Sequence, residues 1–228
     1  PAAETGIPLD EVRRRTLASV ATVSCEGQVG AGFFVEPEVL LTNAHVLCDG
    51  DQVFSVKLHD GRELLGKQLE RDDWLDYARL EVLGAAAQPL PVGDSTALEP
   101  GAPIVFAGAP RNLQFTLHDG KVSYVGRNYL GVGYLQLNAT INPGNSGGPV
   151  VNARGEAVGI VSLKQTDAEG IGFALPLEYA GKPATPEAAE RWAALLERVR
   201  VEDEAEQAKA AEQFEQPQLV GLAHFEDG

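Results

Sequence analysis

The 228-residue chain is long enough to bury a full hydrophobic core, as one large all-β domain or two small ones, without help from metals or crosslinks. Its 44% hydrophobic and 22% charged residues are ordinary for a globular protein, and 25 glycines and 14 prolines supply the turns of a many-stranded fold. The formal net charge of -15 disfavours nucleic acid and anionic membranes as partners, since both repel an acidic surface.

The opening Pro1-Ala2-Ala3-Glu4-Thr5 has neither the basic front nor the apolar core of a secretory leader, and no apolar run is long enough to insert into a bilayer. Strands are expected over 19–25, 32–35 and 39–42. Further strands over 53–58 and 63–65 flank Asp60-Gly61, a strong hairpin signal. The next strand starts at Asp76 with Ala78 and Leu80 at alternate positions, which turns all three inward. A buried carboxylate needs a partner, and a histidine N–H is the natural one.

These strands, about 17–84, make a first β unit. The Pro-containing, aperiodic stretch 84–91 reads as a connector. A second unit, about 100–180, is expected to hold strands over 104–107, 114–117, 121–125, 133–136, 150–152, 157–162 and 171–175, with Asp119-Gly120 as another hairpin turn. Short strands spaced by roughly ten residues argue for a sandwich or barrels.

From residue 181 the character changes to a helical, acidic tail, 181–228. Thr185-Pro186 reads as the cap and first residue of a helix. Ala189, Trp192, Ala193, Leu195, Leu196 and Val199 form an apolar stripe at helical spacing, suited to docking on the β core. The stretch 202–214 reads as a solvated helix or linker.

The chemistry concentrates in Asn142-Pro143-Gly144-Asn145-Ser146-Gly147-Gly148-Pro149. Glycines around a serine permit a tight, open turn that exposes the hydroxyl and aims the amides of Gly144 and Ser146 at one point. A hydroxyl nucleophile beside convergent N–H donors is the core of an acyl-transfer site. The plainer alternative is a Gly-rich turn with a solvated serine. An apolar strand leads straight into His45, and His45, Asp76 and Ser146 then follow the chain order of the chymotrypsin-type triad. Cys25 and Cys48 are either bonded or two buried thiols, a choice set by geometry. Cys48 as a nucleophile lacks a Gly-rich donor pocket. His59, His118 and His224 sit among turn or polar residues and read as surface histidines; no Cys/His spacing suggests a metal and no motif suggests a cofactor.

Taken together, Gly30-Ala31-Gly32-Phe33-Phe34-Val35, Leu41-Thr42-Asn43-Ala44-His45-Val46, Asp76-Tyr77-Ala78-Arg79-Leu80, Leu90-Pro91-Val92-Gly93-Asp94-Ser95, Gly120-Lys121-Val122-Ser123, Ile141 through Pro149, and Gly170-Ile171-Gly172-Phe173-Ala174-Leu175-Pro176 resemble, in order and spacing, the HtrA (Do-like) family of chymotrypsin-fold serine proteases. The resemblance covers about residues 28 to 180 and implies two perpendicular six-stranded antiparallel β-barrels within a 1–180 protease domain. His45 and Asp76 would come from the first barrel and Ser146 from the second.

The activity implied is a serine endopeptidase. Gly144, Asn145 and Ser146 would form the oxyanion hole, and Thr140, Ile141, Ser162, Leu163, Lys164 and Gly172 would contact substrate. Ile141 suggests small aliphatic side chains at the cleaved position; an inward Lys164 would instead attract an acidic one. In chymotrypsin-type enzymes a disulfide braces the histidine loop, a role open to Cys25 and Cys48. The neutral Asn145 offers no ion pair to a newly cut N-terminus, so activation by N-terminal cleavage is not expected.

Peptides or unfolded proteins would be the partners, with a periplasmic or secreted site favoured over a cytoplasmic one. The residues from Thr185 on are too few for the family's C-terminal PDZ domain. No aromatic precedes Phe33, where the family's trimers use aromatic residues, so the oligomeric state is left open. The alternative from another class is a catalytically silent peptide-binding or scaffolding module of the same fold.

Overall fold

A computed structural model describes residues 6–109, 115–142, 144–164, 170–181, 183 and 185–215. Strands β1 (Val20–Cys25), β2 (Gln28–Glu36), β3 (Val39–Thr42), β4 (Val53–Leu58), β5 (Glu63–Asp72) and β6 (Tyr77–Glu81) close into one barrel in the order β1-β2-β3-β6-β5-β4. Strands β7 (Pro103–Gly108), β8 (Thr116–Tyr129), β9 (Val132–Asn138), β10 (Pro149–Asn152), β11 (Ala157–Lys164) and β12 (Ile171–Pro176) close into a second, in the order β10-β11-β12-β9-β8-β7. Each neighbouring pair is antiparallel.

Side-chain alternation drives closure. In β4, Phe54, Val56 and Leu58 are buried while Val53, Ser55 and Lys57 face out. The first barrel fills with Ala21, Val23, Phe34, Leu40, Phe54, Val56 and Leu80, the second with Ile104, Phe106, Val122, Leu135, Leu137, Val150 and Val161. A third cluster joins the barrels, with Phe33, Leu41 and Tyr77 meeting Val105, Tyr134, Val151, Ile160 and Leu175. Phe33 has no exposed surface; its truncation to Ala would cost about 3–5 kcal/mol. This shared layer sets the barrels, and so the loops at their junction, in fixed relation.

Three elements depart from the sequence reading. A helix, α1 (Leu9–Ser19), precedes β1 where none was expected. It buries only Val12, Thr16 and Ser19, too narrow a stripe to register as amphipathic. Its signals are electrostatic: Asp10 and Glu11 lie in the first turn, and Glu11 pairs with Arg14 and Arg15.

Asp119-Gly120 is not a hairpin turn, for β8 runs straight through it. The strand changes partner there, its first part pairing with β7 and the rest with β9. Gly120 has no left-handed backbone and instead lets the strands approach, since a Cβ would crowd the Asn138 carbonyl and Ala139 at 3.3 Å. Residue 114, expected to open a strand here, lies outside the described residues.

The tail forms one helix, α2 (Pro186–Glu215), rather than a helix followed by a separate stretch. Its buried face is Ala188, Trp192, Leu195 and Val199; Ala189, Ala193 and Leu196 are exposed. The Thr185 hydroxyl accepts from Ala188 N–H at 3.2 Å, and Trp192 packs edge-on to Tyr179. Gly126 and Gly133 leave room for Leu195 and Val199. Past the docked face, Arg200 pairs with Glu197 and Glu204 and Gln207 donates to Asp203, which carries the helix onward.

Candidate active site at the barrel junction

β3 delivers the chain to Asn43 and a single 3-10 turn, Ala44–Val46. Val46 and Leu47 are buried in the first barrel, which turns the His45 side chain out, half exposed. Asp76 stands just before β6 rather than within it, with a left-handed backbone at φ 58. The expected strand alternation therefore does not set its direction. Aspartate is among the few non-glycine residues that tolerate this conformation.

The left-handed bend aims the carboxylate at the histidine turn. Its Oδ2 and Oδ1 lie 2.8 and 2.9 Å from His45 Nδ1, and Oδ1 also accepts from the His45 backbone N–H at 3.0 Å. The buried Asn43 side chain donates to the Asp76 carbonyl at 2.7 Å. From the second barrel, the Ser162 hydroxyl donates to Asp76 Oδ2 at 3.1 Å. Tyr134, buried on β9, has its phenol pushed up to about 12, mainly by burial and then by the charge of Asp76.

Ser146 lies in a glycine-built turn docked on the first barrel. Gly144 and Gly147 have left-handed backbones, φ 99 and 84. A Cβ on Gly147 would run into the Ala31 carbonyl and the Thr42 hydroxyl, and one on Gly148 into the Ala107 carbonyl. The Ser146 carbonyl accepts from Ala31 N–H at 2.9 Å. Gly30 packs against both Val46, the neighbour of His45, and the Ser146 carbonyl. The serine turn and the histidine turn thus meet over β2. Among the described residues, no hydrogen bond joins the Ser146 hydroxyl to His45.

Of the three amides expected to line an oxyanion hole, that of Asn145 is engaged, donating to the Asn142 carbonyl at 3.0 Å. Those of Gly144 and Ser146 have no acceptor among the described residues. The Asn145 side chain is buried beside Gly108, and neither its oxygen nor its nitrogen finds a hydrogen-bond partner among the described residues.

The expected substrate residues divide. Thr140 is exposed and Ile141 is buried, packed over Gly172. At Ser162, β11 bulges between Val161 and Leu163, and the Ser162 hydroxyl turns to Asp76. Leu163 and Lys164 pair with Phe173 and Gly172 of β12. The neighbouring strand β10 stops at Pro149, opposite Ile160, leaving the far edge of 162–164 without a strand partner among the described residues. Asn43 stands in a recognised motif but is given no role by the sequence reading, because nothing in the sequence separates a buried, anchoring Asn from one in a turn.

Cys25 and Cys48 form a disulfide that ties the end of β1 to the segment leaving His45. His59 is exposed, and His118 is half-buried and stacked on Phe106 rather than free on the surface; His224 lies outside the described residues. Among the described residues no helix is long and apolar enough to cross a membrane, and no group of three or more His, Cys, Asp or Glu could hold a metal ion.

Residues 30–160 match the model of the trypsin-like peptidase domain. A chain of Synechocystis sp. carrying the serine protease name HhoA is 40% identical over 161 residues, covering 66% of this chain and 41% of its own. A chain of Hahella chejuensis named as a DegP-like periplasmic serine endoprotease is 39% identical over 160 residues, covering 66% of this chain and 34% of its own. This chain therefore spans less than half the length of these curated relatives. The solved structure of the HtrA-type protease AlgW with tripeptide superposes with a TM-score of 0.69 at 31% identity, over 76% of this chain and 61% of that one. The match to over half the chain, on a fold of two closed barrels, shows that the chain belongs to the trypsin-like peptidase domain family.

Proposed function

We propose that this chain is a serine endopeptidase that cleaves peptide bonds through an acyl-enzyme on Ser146. The observation that carries this reading is the Asp76 carboxylate held against both the ring and the backbone of His45, with the Ser146 turn docked beside them. A carboxylate is an acceptor only, so Nδ1 carries the hydrogen and Nε2 presents its lone pair to the serine side. His45 takes the proton of the Ser146 hydroxyl as the oxygen attacks the carbonyl carbon, then gives it to the leaving amine. Water attacks the acyl-enzyme by the same route in reverse and frees Ser146. The uncommitted amides of Gly144 and Ser146 stabilise the developing oxyanion; each such donor is worth about 3 kcal/mol of barrier.

Substrate lies along the open edge of 162–164 as an added strand. Ile141 over Gly172 makes a shallow apolar floor, which supports small aliphatic side chains at the cleaved position. Asn145 is neutral and buried, and the segment after residue 6 is held elsewhere, with Ile7 N–H on the Ala153 carbonyl at 3.1 Å. Both features support activity without N-terminal cleavage. The disulfide and the periplasmic names of relatives support work outside the cytoplasm.

Profiling cleavage sites on a peptide library, before and after limited proteolysis, tests the reading. Cleavage after small aliphatic residues, absent in Ser146→Ala and independent of prior proteolysis, is the expected result. Hydrolysis by Ser146→Ala, or none by the wild type, would overturn it and favour a binding module.

A further inference from the structure

Arg71 lies near the end of β5, opposite Ala78 of β6, and its side chain is largely buried at 17% exposure. The guanidinium forks: Nε donates to Asp73 Oδ1 and Nη2 to Asp49 Oδ1, each at 2.7 Å. Asp49 follows Cys48 on the segment leaving His45. Asp73 lies on the turn entering Asp76, where Asp72 Oδ1 accepts from the Trp74 and Leu75 amides. Arg71, Asp49 and Asp73, together with His45 and Asp76, line a cavity of about 310 Å³.

We propose that Arg71 is a positioning residue: by gripping Asp49 and Asp73 at once, it holds the segments that carry His45 and Asp76 in the relation that proton transfer requires. This rests on His45 acting as base and Asp76 as the group that orients it. The planar fork of an arginine spans two carboxylates on separate segments; an ammonium is a single point of charge. The side chains of Asp49 and Asp73 are 93% and 72% exposed, so neither pair adds much to stability. A small misplacement of catalytic groups, by contrast, lowers rate steeply. The clip therefore acts on geometry more than on folding.

The test measures kcat and KM on one cleaved peptide, with thermal melting, for wild type, Arg71→Lys, Asp49→Asn, Asp73→Asn and the double Asp49→Asn/Arg71→Lys. Each single change should lower kcat about fivefold, leave KM within about twofold and leave the melting temperature in place. The double should lose no more than the worse single, because one clip has been broken once. Added salt should lower wild-type kcat toward that of the variants.

Full kcat in Asp49→Asn, whose exposed side chain puts folding out of question, would overturn the proposal. So would losses that multiply in the double or follow the melting temperature. An active wild type with indifferent variants sinks the clip alone; a wild type that neither cleaves peptide nor reacts with a fluorophosphonate sinks the protease reading beneath it.

Discussion

One oxygen of Asp76 meets His45 twice: Oδ1 accepts the backbone N–H at 3.0 Å and lies 2.9 Å from ring Nδ1. The carboxylate that orients the imidazole thus also fixes the short turn that bears it. The left-handed backbone of Asp76 makes both contacts possible from a position just outside its strand.

Asp76→Asn separates orientation from tautomer. The amide oxygen can still accept the His45 backbone N–H, so the fold should persist. Its NH2 then faces the ring and favours the wrong tautomer, and kcat should fall by about 10⁴-fold with little change in melting temperature. Steady-state kinetics beside a melting curve checks this.

Ser162→Ala removes a hydroxyl that reaches Asp76 from the second barrel. A hydrogen bond to a charged group is worth about 1.5–3 kcal/mol, so kcat should drop roughly tenfold or more. KM should hardly move, since the backbone of 162–164, proposed to pair with substrate, is unchanged. A KM effect alone would mark Ser162 as a plain pocket wall.

Much of this arrangement is legible in the sequence alone. The strands came from apolar runs broken by turn signals, as in 53–58 before Asp60-Gly61. The Ser146 turn came from its glycines, whose lack of a Cβ is what allows the docking on Ala31 and Ala107. The rest depended on long-range pairing. Asp119-Gly120 carries a local turn signal that β8 overrides by switching partners. The direction of Asp76 follows from one left-handed residue, and that of Ser162 from a bulge; neither breaks the apolar pattern. Helix α1 is held by charges and three buried residues, a signal too sparse for periodicity to find.

Glu178 supplies a pH test of the fold. Its carboxylate accepts from the Ser95 backbone N–H and hydroxyl, each at 2.8 Å, tying the short 3-10 turn Ser95–Ala97 ahead of β7 to the end of the second barrel. Burial, the largest cause, raises its pKa above the usual 4.5 against the lowering by Ser95. The folded state therefore holds this proton to higher pH than the unfolded chain. The associated stability is present below 4.5 and is lost as pH rises through the folded value. Glu178→Gln should lack this loss, so its stability relative to wild type should improve as pH rises from 4.5. Urea titrations across that range read the difference directly.

The Cys25–Cys48 bond closes a loop with a sequence separation of 23. Constraining such a loop in the unfolded chain is worth about 3 kcal/mol. The Cys25→Ser/Cys48→Ser double variant, and wild type kept reduced, should both lose about this much in denaturant titrations.

The central claim is tested most directly by exposing the protein to a fluorophosphonate and mapping the adduct by mass spectrometry. A single adduct on Ser146, absent from Ser146→Ala and strongly slowed in Asp76→Asn, is the expected result. An unmodified Ser146 in folded wild-type protein, or equal labelling of the Ser146→Ala variant at another residue, would contradict it.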